Sequence, residues 1–149
     1  ICYLRCGNKS RRVGYQTTKN AGEDWSSPEL LELPNPNSAV CGVLMSDSGV
    51  LLALNHSADK RDSLSLVYSA DGISDWRTVA KLDEEADQKF SYPTMVRDRA
   101  GMIHLVYSWR MQKLRHVSFN DAWVHQQLNQ SLVADCQSPA LSESSKGQS

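Results

Sequence analysis

The chain alternates short apolar runs with polar turn clusters, and the runs have the length of strands. Val50-Leu51-Leu52-Ala53-Leu54, Ser63-Leu64-Ser65-Leu66-Val67-Tyr68-Ser69 and Ile103-His104-Leu105-Val106-Tyr107-Ser108-Trp109 are rich in Val, Leu, Tyr and Trp. The clusters beside them, Ser46-Asp47-Ser48-Gly49, Asp71-Gly72 and Asp98-Arg99-Ala100-Gly101, supply the positive φ that tight hairpins require. Glu84-Glu85-Ala86-Asp87-Gln88-Lys89 could form one helical turn but carries no apolar stripe. No convincing helix is expected.

The pattern repeats. Thr18-Lys19-Asn20-Ala21-Gly22-Glu23-Asp24-Trp25 aligns with Ser69-Ala70-Asp71-Gly72-Ile73-Ser74-Asp75-Trp76, which starts 51 residues later. Ser48-Gly49-Val50-Leu51-Leu52-Ala53-Leu54 aligns with Ala100-Gly101-Met102-Ile103-His104-Leu105-Val106 at an offset of 52. Ser63-Leu64-Ser65-Leu66-Val67-Tyr68-Ser69 aligns with Lys113-Leu114-Arg115-His116-Val117-Ser118-Phe119 at an offset of 50. A period near 50 built from short strands is the signature of propeller blades. The expected fold class is all-β: a partial β-propeller of about three blades, each of four antiparallel strands. The middle blade is expected at roughly 38–45, 50–56, 63–69 and 76–82, and the next at 93–97, 102–109, 113–119 and 123–128. The first blade shows strands near 1–5, 11–18 and 28–33. Residues 1–128 would form the propeller fragment, and the Ser- and Gln-rich stretch 129–149 a disordered tail.

Composition narrows the function classes. The 149 residues carry a net charge of −1, which gives no electrostatic reason to expect a nucleic acid partner. No apolar run approaches the roughly 20 residues of a membrane span, so none is expected. Cys2, Cys6, Cys41 and Cys136 form no CxxC pair. They read first as small buried hydrophobes, although an even count is compatible with a disulfide. His56, His104, His116 and His125 form no close-spaced ligand pattern. No metal and no cofactor are therefore expected. Sequons at Asn8, Asn55 and Asn129 are common by chance, and the sequence assigns no compartment.

The octets at 18–25 and 69–76 resemble the Asp-box of the sialidase (neuraminidase) superfamily, Ser/Thr-x-Asp-x-Gly-x-Thr-Trp. Neither copy is perfect. The first has Asn20 for Asp and Asp24 for Thr, and the second has its Gly one place early and Asp75 for Thr. A degenerate third copy, Ser118-Phe119-Asn120-Asp121-Ala122-Trp123, would close the third blade. The box is structural: its acid or amide caps backbone N–H groups, its Gly takes the special φ, and its Trp packs between blades. Leu33-Pro34-Asn35-Pro36-Asn37-Ser38 and Phe90-Ser91-Tyr92-Pro93-Thr94 are also similar to BNR/Asp-box repeat-like predicted neuraminidases. The resemblance covers residues 1 to about 128 and implies the C-terminal half of a six-bladed enzyme.

That resemblance implies a chemistry. Such an enzyme holds the carboxylate of a sialic-acid-type glycoside with three arginines, attacks the anomeric carbon with a Tyr activated by a Glu, and uses an Asp as acid/base. Three positions match: Arg5 and Arg61 as substrate-binding arginines, and Tyr92 as the catalytic nucleophile. Topology supports their meeting. Successive strands reverse, so the end of a second strand, the start of a third and the start of a first share one rim. Arg5, Arg61 and Tyr92 hold those three kinds of place, and the boxes lie on the other rim. Asn37 and Asn55 share the first rim and could touch substrate hydroxyls. Arg110 lies there too. The other arginines, Arg97 among them, read as solvated charges.

The family's first arginine and acid/base Asp belong to earlier blades, and its Glu would lie upstream of Ile1. The expected function is thus a fragment of a sialidase-like glycoside hydrolase with a sialoside as partner, inactive as this chain alone. Alternatives are a propeller that binds glycans or proteins without hydrolysis, or a truncated product without function.

Overall fold

A computed structural model describes residues 1–7 and 9–137, with side chains as far as position 132. The Asn8 sequon, the Cys136 side chain and residues 138–149 of the expected tail lie outside the described residues.

Strand-length runs and turn clusters fold into three antiparallel sheets. The first holds β1 (Cys2–Arg5), β2 (Arg12–Gln16) and β3 (Glu29–Pro34). The second holds β4 (Cys41–Leu44), β5 (Val50–Leu54), β6 (Ser63–Ser69) and β7 (Arg77–Glu84), paired in chain order. The third holds β8 (Phe90–Arg97), β9 (Ile103–Trp109) and β10 (Lys113–Phe119), again with sequential neighbours paired. By the repeat, the first blade contributes its second to fourth strands, the middle blade all four, and the third its first three. The blades stack face to face, and the inner strands β4 and β8 lie side by side, where the Met95 N–H donates to Cys41 Sγ at 3.1 Å. The result is a partial β-propeller, as the repeat leads one to expect.

Two apolar cores fill the gaps between blades. Leu52, Leu54 and Val67 of the middle blade meet Val13, Leu31 and Leu33 of the first. Leu51, Ala53, Leu64, Leu66 and Tyr68, on its other face, meet Met95, Ile103, Leu105 and Tyr107 of the third. Alternation along β5 and β6 thus sends successive side chains into different cores. Every residue of β6 is buried.

The repeated octets form the β2–β3 and β6–β7 turns. In the second, Asp71 Oδ1 accepts from Ile73 N at 2.8 Å and Ser74 N at 2.7 Å, while Ser69 Oγ accepts from Gly72 N at 3.0 Å. Hydrogen bonds from the Ser74 hydroxyl and these amides hold the Asp71 carboxyl well below the usual range. In the first, Asn20 Oδ1 accepts from Asp24 N at 2.9 Å, and Thr18 Oγ1 from Gly22 N at 2.9 Å. Gly22 and Gly72 take φ of 95° and 73°, as the turn needs. Trp76 packs against Tyr3 of the first blade, ring centroids 6.1 Å apart at 78°. Trp25 is 45% exposed, because no described residue covers that side of the first blade.

The third copy of the octet departs from expectation. The predicted strand at 123–128 is instead part of a helix, α1 (Asp121–Gln137). Asn120 still caps, but its Oδ1 accepts from Trp123 N at 3.0 Å, the hydrogen bond of a helix N-cap. Asp121 and Ala122 follow the cap without the positive φ that Ala21, Gly22 and Gly72 take in the two hairpins. Val124 and Leu128, one turn apart, are buried in the core between the middle and third blades. The helix also carries part of the stretch expected as a disordered tail.

Candidate functional site

One rim gathers the β3–β4 and β5–β6 loops, the end of β1 and the start of β8. Asn35 shapes the first of these loops: its Oδ1 accepts from Ser38 N at 2.8 Å and its own N–H donates to Arg11 O at 2.8 Å. That arrangement brings Asn37, at φ 55°, to the end of β1. Arg5 Nε donates to Asn37 Oδ1 at 2.8 Å, and an Arg61 Nη2 donates to the Asn37 carbonyl at 2.7 Å. Arg5 and Arg61, 56 positions apart in sequence, therefore converge on one residue. Asn37 was expected as a substrate contact; the structure makes it the point on which both guanidiniums rest. The Asn-Pro-Asn turn signal was visible in the sequence, but its left-handed φ and its two acceptors were not.

Tyr92 connects to this pair through the backbone. Phe90 N donates to Arg61 O at 2.9 Å. Asn55, fully buried, spans the same gap: its Nδ2 donates to Ser63 O at 2.6 Å and Phe90 O at 2.8 Å, and its Oδ1 is a buried acceptor without a partner among the described residues. This asparagine, too, was read as a substrate contact and is instead an internal tie. β8 begins at Phe90, not at 93, so Tyr92 lies inside the strand. Ser91 pairs with Ser108 and Thr94 with Val106, which leaves Tyr92 and Pro93 opposite Tyr107 alone. This β-bulge puts Tyr92 at φ 55°, a sterically costly state for an aromatic residue, and leaves it 58% exposed. Pro93 reads in sequence as the start of a strand, which is why the bulge escaped notice. Among the described residues the Tyr92 hydroxyl has no hydrogen-bond partner.

Around this cluster the rim is polar and open. A depression of about 170 Å³ lies between Arg11, Pro36, Asn37, Ala58 and Asp59. It adjoins, through Asp59, one of about 400 Å³ lined by Lys60, Arg61, Asp62, Asp87, Gln88 and Lys89. In the larger one three cations face three carboxylates, so the surface has no net bias toward a polyanion. Arg110 is paired with Glu85 and lies 4.0 Å over the Trp109 ring. Both side chains stay partly exposed, and each is engaged by the other. Arg97, read as a solvated charge, is instead half-buried and paired with Asp121 at the start of α1. Among the described residues no group of three or more His, Cys, Asp or Glu side chains could hold a metal ion, and no helix is long and apolar enough to cross a membrane.

The profile of the BNR repeat-like domain family matches residues 1–105. No curated protein sequence matches. Among solved structures, the chain is similar to the intramolecular trans-sialidase of Ruminococcus gnavus, with a TM-score of 0.64 and 19% identity over 82% of this chain and 30% of that one. The leech intramolecular trans-sialidase gives a TM-score of 0.65 and 15% identity over 84% of this chain and 22% of that one. A sialidase from Streptococcus pneumoniae gives 0.60 and 16% identity, over 76% of this chain and 20% of that one. The chain spans less than a third of the length of each of these enzymes.

Proposed function

The chain belongs to the BNR repeat-like domain family, and from that premise we propose that it supplies part of the substrate rim of a sialidase-like glycoside hydrolase acting on sialic-acid-type glycosides. Arg5 and Arg61 bind the sugar carboxylate, because a planar guanidinium meets a carboxylate through paired hydrogen bonds. Tyr92 is the nucleophile toward the anomeric carbon. The observation that carries this reading is the meeting of Arg5 and Arg61 on Asn37. The balanced charge of the adjoining depression also suits a hydroxyl-rich ligand with a single carboxylate better than a phosphate-rich one. The strained backbone at Tyr92 agrees with a functional position, since such strain concentrates at active sites.

The same chemistry needs a third arginine, an acid/base Asp and a Glu beside the Tyr hydroxyl, and no position here matches them. By itself the chain is therefore without hydrolytic activity. The expected result is that residues 1–149 release no fluorophore from a fluorogenic sialoside, whereas a form carrying the remaining blades does. In that longer form Tyr92→Phe abolishes release. Unchanged activity in the variant would remove Tyr92 from the mechanism. A second reading is sialoside binding without hydrolysis. A complete ring that binds the sialoside and leaves it intact would select it.

A further inference from the structure

We infer that Asn37 is a positioning residue that presets the two arginines for a carboxylate before any ligand arrives. The inference rests on the reading of Arg5 and Arg61 as carboxylate ligands. Arg5 is exposed, and a solvated arginine samples many rotamers that a bound carboxylate would have to restrict. Asn37 Oδ1 accepts the inner Nε–H of Arg5, at 2.8 Å. The two terminal amino groups, which form the outer fork, take no part in that contact. The Asn37 carbonyl meanwhile holds one Nη of Arg61 at 2.7 Å. One residue thus fixes two forks relative to each other. The left-handed φ of 55° is what presents its side chain to β1 and its carbonyl to the β5–β6 loop together. Asn tolerates that conformation better than most residues. It is also neutral, so it orients the guanidiniums without competing with a ligand carboxylate for their charge.

Two substitutions separate the parts of this role. Asn37→Gly keeps the backbone conformation and the carbonyl for Arg61 but removes the acceptor for Arg5. Asn37→Asp keeps an oxygen for Arg5 Nε but adds a competing negative charge.

The first measurement needs no ligand. In arginine-selective NMR of the whole chain, Arg5 Nε–H is expected to exchange slowly with water in wild type and in Asn37→Asp, and to exchange rapidly in Asn37→Gly. An Arg5 signal unchanged by Asn37→Gly would overturn the inference.

The second is titration with N-acetylneuraminic acid. Asn37→Gly and Asn37→Asp are each expected to weaken binding about tenfold, roughly the worth of one charge-assisted hydrogen bond. In an Arg5→Ala background Asn37→Gly should cause no further loss, which a general structural role would not reproduce. Binding that depends on both arginines yet is indifferent to Asn37→Gly would sink the positioning role alone. Binding that ignores Arg5→Ala and Arg61→Ala would sink the functional reading, and the exchange measurement would still decide whether Asn37 orders Arg5.

Discussion

Two glycines of the same backbone hand face very different surroundings. Gly72 and Gly101 both sit at positive φ, 73° and 85°. A Cβ on Gly72 would lie 2.7 Å from the Tyr3 hydroxyl and 2.9 Å from a Val50 methyl, whereas one on Gly101 meets nothing within 4 Å. The Tyr3 hydroxyl cannot swing aside cheaply, because it donates to the Gly72 carbonyl at 2.7 Å. Gly101→Ala should therefore cost only the left-handed backbone penalty, about 1–2 kcal/mol. Gly72→Ala should cost that plus an overpacking term of about 1–3 kcal/mol. Urea denaturation of both variants measures the difference, and equal losses would mean that the contact between the first two blades yields freely. At this scale the sequence was partly legible. Arg5 and Arg61 could be placed on one rim from strand reversal alone. That Asn37 joins them depends on a backbone carbonyl and a left-handed φ, and residue type records neither. Tyr92 was assigned to the right rim but not to a bulge.

Among the elements, ten strands followed from apolar runs and turn clusters, and α1 did not. Asn120 satisfies N–H groups equally well at a hairpin turn and at a helix start, so the capping residue cannot tell the two apart. What separates them is the backbone after the cap: Ala21 and Gly22 in the first hairpin and Gly72 in the second take positive φ, whereas Asp121 and Ala122 run straight into the helix. Apolar positions at 124 and 128 then lie one turn apart and face the core. The helix is also fastened at its start. Burial alone would raise the Asp121 carboxyl, but hydrogen bonds from Ser46 and the Arg97 guanidinium outweigh it and hold the carboxyl below its ordinary value. A carboxyl depressed in the folded state contributes stability above its unfolded pKa of about 3.9, and the contribution disappears as pH falls through the lower folded value. Acid titration should thus release α1, seen as loss of helical circular dichroism. In Asp121→Asn the release should depend less on pH. Identical acid curves for both proteins would assign the transition to other carboxylates.

On the scale of the whole molecule, the blades are held by apolar cores that also trap phenols. Burial, then the Asp47 carboxylate, pushes Tyr68 up to about 12. Tyr107 is raised by burial and by its hydrogen bond to Asp83, and Tyr3 by burial and by Asp71. A group raised in the folded state contributes stability in full below its unfolded pKa, about 10 for tyrosine, and loses it as pH climbs through the folded value. The fold should accordingly weaken between about pH 10 and 12, with tyrosinate absorbance and loss of sheet circular dichroism rising together. Full tyrosinate absorbance with the sheet signal intact would contradict this.

The stacking has a further consequence for β6. In most strands a slip of one residue is prevented because it would expose apolar side chains and bury polar ones. With solvent on neither side, the safeguard of β6 is of another kind: Leu64, Leu66 and Tyr68 face one core and Ser63, Ser65 and Ser69 alternate with them, so a slip would carry buried hydroxyls into that core. The cost of a wrong alignment of the central strand is thus displaced hydroxyls, not exposed apolar surface. The choice is sharpened by the Tyr68 hydroxyl, which donates to Asp47 at 2.7 Å, and by the hydrogen-bonded turn that begins at Ser69. That turn works as a ratchet pawl, setting which notch of the ladder engages.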